Sequence, residues 1–356
     1  MNNKNRNKNL DKKYKIFLDT IKLYPDQLKQ AWDEVNRIEF PDEFKYIDKV
    51  VISAMGGSAL GARIIDSLLI NRIRVPVEIF NQYHIPNYAD EKTLFIAYSY
   101  SGNTEETINS LNEAISKEIK TIVVSTGGKL EEIAKNHKLI SYTINPYNNP
   151  SKQPRMGLGY AIGAIFAIFS KLSLVNIFDE EIESALVTMQ KAISNFDEDV
   201  ELHDNLAKKY ADNLKNKAII IISSEHLSGI CHAFKNQLNE NAKTFADLFE
   251  IPELNHHFME GLGYPKKIKD TLLFIFFTSN LYTDKVQRRY PITWDVIKQN
   301  GFDYSVYSPF SNTKIDQVIE VLIFASFITY YISKSYHIDP ETIPWVDYFK
   351  KELAKI

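Results

Sequence analysis

The stretch from Thr93 to Ile119 constrains the fold most. Thr93-Leu94-Phe95-Ile96-Ala97-Tyr98 is an unbroken apolar run, the pattern of a strand buried on both faces. After it, Ile108, Leu111, Ala114 and Ile115 recur at helical spacing from Glu105 onward. Between strand and helix stand Ser99, Tyr100, Ser101, Gly102, Asn103 and Thr104. The first turn of a helix carries backbone N–H groups without carbonyl partners, at the positive end of the helix dipole. A single hydroxyl at such a place would be an ordinary cap. Three of them, Ser99, Ser101 and Thr104, directly after a buried strand, point to a bound anion and specifically to a phosphate monoester.

A second unit of the same design precedes it. Asp48 to Ala54 reads as a buried strand, Met55-Gly56-Gly57-Ser58-Ala59-Leu60-Gly61 as a glycine turn, and the residues through Leu69 as a helix. The glycine spacing is not that of a dinucleotide site, and no lysine follows as a nucleotide-binding loop would need. Turns from successive parallel strands converge at one edge of a sheet, where ligands of such folds bind. Further strands are expected at 76–80, 121–126 and 139–144, after which Pro150 and Pro154 break the order. The charged stretch 179–215 lacks Gly and Pro and reads as a helical connector. The strand pattern then restarts at Lys217 to Ser224, with others at 271–278 and 304–307 and a last helix at 344–354. The fold class is α/β, with two subdomains, each a parallel sheet flanked by helices. Their expected limits are 21–178 and 216–356, with residues 1–20, rich in Asn and Lys, as a flexible tail.

Composition narrows the function. A formal net charge of −3 gives no electrostatic footprint for nucleic acid. The single cysteine, Cys231, rules out an internal disulfide framework and, lying in an apolar helical stretch, reads as a buried inert thiol. The N-terminus has no apolar core, so it is not a secretory signal. The apolar runs 156–175 and 318–332 are respectively interrupted by Lys171 and shorter than a bilayer requires, so both are expected as buried helices. These features together describe a cytoplasmic protein without a membrane span.

Residues suited to proton transfer gather in the second half. Asn239-Glu240-Asn241-Ala242-Lys243 closes a helical stretch, and Pro252-Glu253-Leu254-Asn255-His256-His257 follows shortly after. A carboxylate and an imidazole on neighbouring segments can divide proton removal and delivery between them. Glu240 would otherwise be a solvated helix residue, and the His pair a surface feature. The two adjacent histidines, His256 and His257, lack a third ligand at zinc spacing, so no metal is expected. Gln153-Pro154-Arg155 opens the long apolar helix, with Arg155 as a surface arginine or an anion partner.

Taken together, the turn Met55–Gly61, the run Ser99–Thr107, Gln153-Pro154-Arg155, the segment Gln237–Lys243 and the segment Glu253–His256 resemble the bifunctional phosphoglucose/phosphomannose isomerase family, within the sugar isomerase (SIS) superfamily. The Ser-Tyr-Ser-Gly-Asn-Thr run marks only the superfamily; Asn-Glu-Asn-x-Lys and Glu-Leu-Asn-His are more specific. The resemblance runs from about Tyr24 to Leu353. It implies two SIS-type subdomains and an aldose–ketose isomerase that interconverts fructose 6-phosphate with glucose 6-phosphate through a cis-enediol. Gly57, Ser58, Ser99, Ser101 and Thr104 would hold the phosphate, and Glu240 would be the base. Arg155 would stabilise the enediolate, while His256 and Lys350 would assist ring opening. It further implies no cofactor, and a homodimer in which His256 comes from the partner subunit.

The chain departs from the family pattern in places. His257 stands where the family has Asn, and the loop around 280–289 is unlike its commonest form. The family's threonine linked to accepting mannose 6-phosphate aligns with Ile343, with Thr342 beside it, which puts the mannose epimer in question. Two rival readings are a non-catalytic SIS protein that senses a phosphosugar and an SIS isomerase of another sugar phosphate. The first could dispense with Glu240, His256 and Arg155, all of which are present.

Overall fold

The computed structural model describes residues 3–353 and 355. The first half runs α1 (Asn3–Lys22), α2 (Tyr24–Asn36), β1 (Lys49–Ser53), α3 (Ala59–Leu69), β2 (Val77–Phe80), β3 (Thr93–Tyr98), α4 (Glu105–Ser116), β4 (Lys120–Ser125), α5 (Gly128–Asn136), β5 (Ile140–Thr143) and α6 (Leu158–Lys171). Then follow α7 (Asp179–Phe196) and α8 (Leu206–Leu214). The second half runs β6 (Ala218–Ser223), α9 (Ser228–Glu240), β7 (Ala246–Glu250), α10 (Leu254–His257), β8 (Leu272–Phe277), α11 (Asp284–Gln287), α12 (Arg289–Gln299), β9 (Asp303–Tyr307), α13 (Lys314–Ser335) and α14 (Pro344–Leu353).

The strands form two wholly parallel sheets, in the orders β2-β1-β3-β4-β5 and β7-β6-β8-β9. In each, the central pair is the one whose sequence is a continuous apolar run. Val50–Ile52 and Leu94–Tyr98 are buried in the first sheet, and Ile219–Ile222 and Leu272–Phe277 in the second. Burial on both faces requires helices on both sides, which the β–α alternation supplies. Both sheets share one core: α6 packs on α2 and α3, α3 on α9, and α13 on α7, α8 and α9.

The sequence expectations need three corrections. Of the expected tail 1–20, residues 3–20 belong instead to helix α1, with Tyr14, Phe17, Leu18 and Ile21 buried along one face, and residues 1 and 2 lie outside the described residues. Those four positions have the i, i+3, i+4, i+7 spacing of an amphipathic helix, and Phe17 stacks on Tyr330 of α13. Strand β7 is an addition to the expected strands. It is an edge strand whose outward Asp247 and Glu250 interrupt the apolar pattern. Finally, the helix expected at 318–332 is buried as expected, with 94% of its apolar window inside the protein, but it extends to 22 residues rather than falling short of a bilayer. It is a core helix.

Candidate functional site

The first sheet delivers its two glycine- and hydroxyl-bearing turns to its carboxyl edge, and they are tied together there. The Tyr100 N–H donates to Ser58 Oγ at 2.9 Å, so the β1 turn holds the β3 turn. Ser99 Oγ and Thr104 Oγ1 share a hydrogen bond of 2.8 Å. Thr104 occupies the N-cap of α4, yet its hydroxyl does not cap the helix. The first-turn N–H groups of α4 are therefore left for something else, as an anion site requires. Gly102, at φ +69°, packs against the turn after β4, where an added Cβ would lie 1.8 Å from the Gly127 carbonyl oxygen. Ser101 is exposed at the rim, its hydroxyl accepting from the Asn103 N–H.

Arg155 lies beside these turns rather than on the surface. A Cβ on Gly57 would come within 2.7 Å of the Arg155 backbone nitrogen, so only glycine lets the β1 turn seat against that segment. The Arg155 side chain is 1% exposed, and each of its nitrogens is engaged. Nε donates to Asn241 Oδ1 at 2.5 Å and Nη1 to Gln153 Oε1 at 2.9 Å. Nη2 donates to the Pro340 and Glu341 carbonyls, both at 2.9 Å. Nη1 also faces Glu240 Oε2 at 3.5 Å. This guanidinium thereby joins the first half, the end of α9 and the turn that leads into α14.

Glu240 ends α9 with 27% of its side chain exposed. Burial pushes its carboxyl up, against the opposing charges of Arg155, Lys243 and Lys350. A carboxylate poised in this way is a better proton acceptor than a solvated one. Lys243 donates to the Asp339 carbonyl at 2.6 Å and is pushed down to about 8, by desolvation first and by the Arg155 charge second. Lys350, on the exposed helix α14, is close enough to act on Glu240 electrostatically. The protein thus brings Gly57, Ser58, Arg155, Glu240 and Lys350 into one neighbourhood, with Ser99, Ser101 and Thr104 on the adjoining turn.

His256 is not part of that cluster. It sits on α10 and, among the described residues, its imidazole makes no hydrogen bond or ion pair. The roomier clefts also lie elsewhere: one lies between α7, α8 and the start of α13, and another beside Trp32 and Asp179. Neither contains a residue of this cluster, in which Ser58, Ser99 and Arg155 are buried. Among the described residues, no group of His, Cys, Asp and Glu is arranged to hold a metal ion. Sequence reading gave no role to Asn241 or Lys243, although both stand in the Asn-Glu-Asn-x-Lys motif. It also missed the turn 339–341, whose part is played by backbone carbonyls and leaves no signature in side-chain type.

The second half repeats the turn design with a different outcome. Thr104 follows the end of β3 as Thr283 follows the end of β8, at the same spacing, and each stands at a helix start. Here Glu225, from the turn after β6, accepts from the Thr283 N–H at 3.1 and 3.3 Å and from its hydroxyl at 2.8 Å. The position is filled by the protein's own carboxylate.

Two parallel sheets with a hydroxyl-lined turn and a carboxylate–guanidinium pair at their junction define an SIS-type sugar-phosphate protein. The fold matches a hypothetical protein from Thermus thermophilus with a TM-score of 0.75 at 14% identity, covering 99% of this chain and 95% of that one. Residues 203–353 match the family model of the bacterial phospho-glucose isomerase C-terminal SIS domain. A bifunctional phosphoglucose/phosphomannose isomerase from Caldicellulosiruptor bescii is 32% identical over 346 residues, 96% of this chain and 99% of the relative. The chain belongs to the bifunctional phosphoglucose/phosphomannose isomerase family. A D-glucosamine-6-phosphate 4-epimerase from Sulfolobus acidocaldarius is also similar, 30% identical over 239 residues, 66% of this chain and 70% of that one.

Proposed function

We propose that this protein interconverts fructose 6-phosphate and glucose 6-phosphate through a cis-enediol, with Glu240 as the base. The observation that carries this reading is the Glu240–Arg155 pair, a carboxylate raised by burial 3.5 Å from a buried guanidinium. Glu240 takes the proton from C1 of the ketose and returns it to C2, while the hydroxyl proton passes from O1 to O2, so aldose and ketose exchange without a redox cofactor. The Nη1 hydrogen that faces Glu240 is the one Arg155 donor with no close hydrogen-bond acceptor among the described residues. It is the donor a developing enediolate oxygen would take. The phosphate sits against Ser99, Ser101, Thr104 and the Gly57–Ser58 turn, and this remote anchoring orients the reacting carbons.

The active unit is a homodimer with shared sites. His256 of each chain serves ring opening in the other chain's site, together with Lys350. Two features support this: the His256 imidazole has no partner within its own chain's described residues, and α14 presents Trp345, Tyr348 and Phe349 to the outside. Residues 21–178 take the phosphate and 216–356 supply the base, with α7 and α8 between them.

The test is a coupled assay of purified protein with fructose 6-phosphate, following glucose 6-phosphate and mannose 6-phosphate separately in the presence of chelator. Turnover by the parent, and its loss in Glu240→Gln with phosphosugar binding retained, is the expected result. Glucose 6-phosphate as the only product would make Ile343 the suspect for the lost mannose epimer. Full activity in Glu240→Gln would remove Glu240 as the base.

A further inference from the structure

We infer that Lys13, on the N-terminal helix α1, is a positioning residue for Arg155, acting by neutralising the buried carboxylate of Glu341. The inference rests on the reading of Arg155 and Glu240 given above. The turn from Asp339 to Glu341 is gripped from three sides. Arg155 donates to the Pro340 and Glu341 carbonyls, and Lys243 to that of Asp339. From α1 the Lys13 ammonium pairs with Glu341 Oε2. The Glu341 side chain is only 7% exposed, and Lys13 is the one cation paired with it among the described residues. The Glu341 N–H bonds back to Asp339 Oδ1 at 2.8 Å, which closes the turn on itself.

Lys13 is brought there by α1. Phe17 stacks on Tyr330, and the Tyr14 hydroxyl donates to the Ser333 carbonyl at 3.2 Å, so α1 lies along the end of α13 from which the turn departs. Without Lys13, a buried carboxylate would stand unpaired next to a guanidinium already bonded to the same residue's carbonyl. An unpaired buried charge takes up the nearest counter-charge. Arg155 would then swing its free donor toward Glu341 and away from Glu240. Because the turn also leads into α14, the placement of Lys350 would loosen with it. Lys13 touches none of the reacting atoms; its effect runs through Glu341 and Arg155.

A double-mutant cycle separates charge neutralisation from mere packing of α1. Lys13→Met is expected to lower kcat with fructose 6-phosphate about tenfold, with KM little changed, since coupling between contacting charged residues reaches that size. Lys13→Arg should restore it. Glu341→Gln, which removes the charge Lys13 neutralises, should make Lys13→Met nearly harmless, so that the double variant lies within about threefold of Glu341→Gln alone. Amide hydrogen exchange across residues 339–343 should quicken in Lys13→Met and recover in the double variant, a readout independent of turnover. A Lys13→Met protein with parental kcat and exchange would overturn the inference. So would a double variant about tenfold below Glu341→Gln alone, because α1 would then act by packing alone. A parent protein inactive on fructose 6-phosphate would sink the proposed reaction, while the exchange cycle would still decide the role of Lys13.

Discussion

Arg155→Met probes the site most sharply, because the guanidinium ties together distant segments of the fold and lies 3.5 Å from the proposed base, Glu240. The substitution removes hydrogen bonds to Asn241, Gln153, Pro340 and Glu341, spaced 2.5–2.9 Å, and leaves their acceptors facing an apolar side chain. Taking one partner from a buried charged cluster costs about 3–5 kcal/mol. In a chain of this size that is a fall in Tm of roughly 4–7 °C. Loss of the cation at the developing enediolate should lower kcat by about 10²–10³. The pH dependence supplies the more discriminating sign. Burial raises Glu240, and the Arg155 charge is the largest effect holding it down. Without that charge the carboxyl rises further; since the base works only when ionised, the acid limb of kcat/KM moves to higher pH. Arg155→Lys keeps a charge without the planar fork of donors, so kcat should still fall while the limb moves less. The measurement is kcat and KM for fructose 6-phosphate across the acid limb, with thermal unfolding to confirm that each variant folds. A folded Arg155→Met protein whose acid limb stays put or moves to lower pH would refute this account of Glu240.

Other expected outcomes concern the phosphate, the turn geometry and the subunits. Ser99→Ala removes the partner of Thr104 Oγ1 and should raise KM about tenfold or more while changing kcat less, the loss expected of a hydrogen bond to a charged group. Equal loss in both constants would argue against a phosphate role. Gly57→Ala forces a Cβ to 2.7 Å from the Arg155 backbone, which should destabilise the fold by about 1–3 kcal/mol in chemical denaturation and impair catalysis. Unchanged stability and activity would mean that the two segments are not in contact. Mixing inactive Glu240→Gln with inactive His256→Ala should restore about a quarter of parental activity through heterodimers with one complete site, the fraction set by random pairing in a twofold dimer. No recovery after subunit exchange would place His256 in its own chain's site or outside catalysis.

Much of this fold can be read from the sequence because buried parallel strands write themselves as unbroken apolar runs. That is why 93–98, 217–224 and 271–278 are legible and edge strand β7, with its outward acids, is not. Helix α1 carries a readable signal in Tyr14, Phe17, Leu18 and Ile21, but the Asn- and Lys-rich residues before them mask it. The turn proposed for the phosphate is legible for a local reason: three hydroxyls and a glycine sit within one turn. What holds Arg155 is not local. Its partners lie from 2 to 186 positions away and include two backbone carbonyls, which no residue type announces. Lys13 meets Glu341 across 328 positions, and nothing near either residue foretells the pair.

Glu225 gives the molecule a built-in asymmetry. By lodging its carboxylate on Thr283, the second half fills with its own side chain the position that, in the first half, is proposed to take the substrate phosphate. On the proposed reading, substrate phosphate would give the Ser99–Thr104 turn the anionic partner that Glu225 already gives Thr283. Tightening on binding is then expected at the Ser99–Thr104 turn and not at the Thr283 turn, whose partner is present with or without substrate.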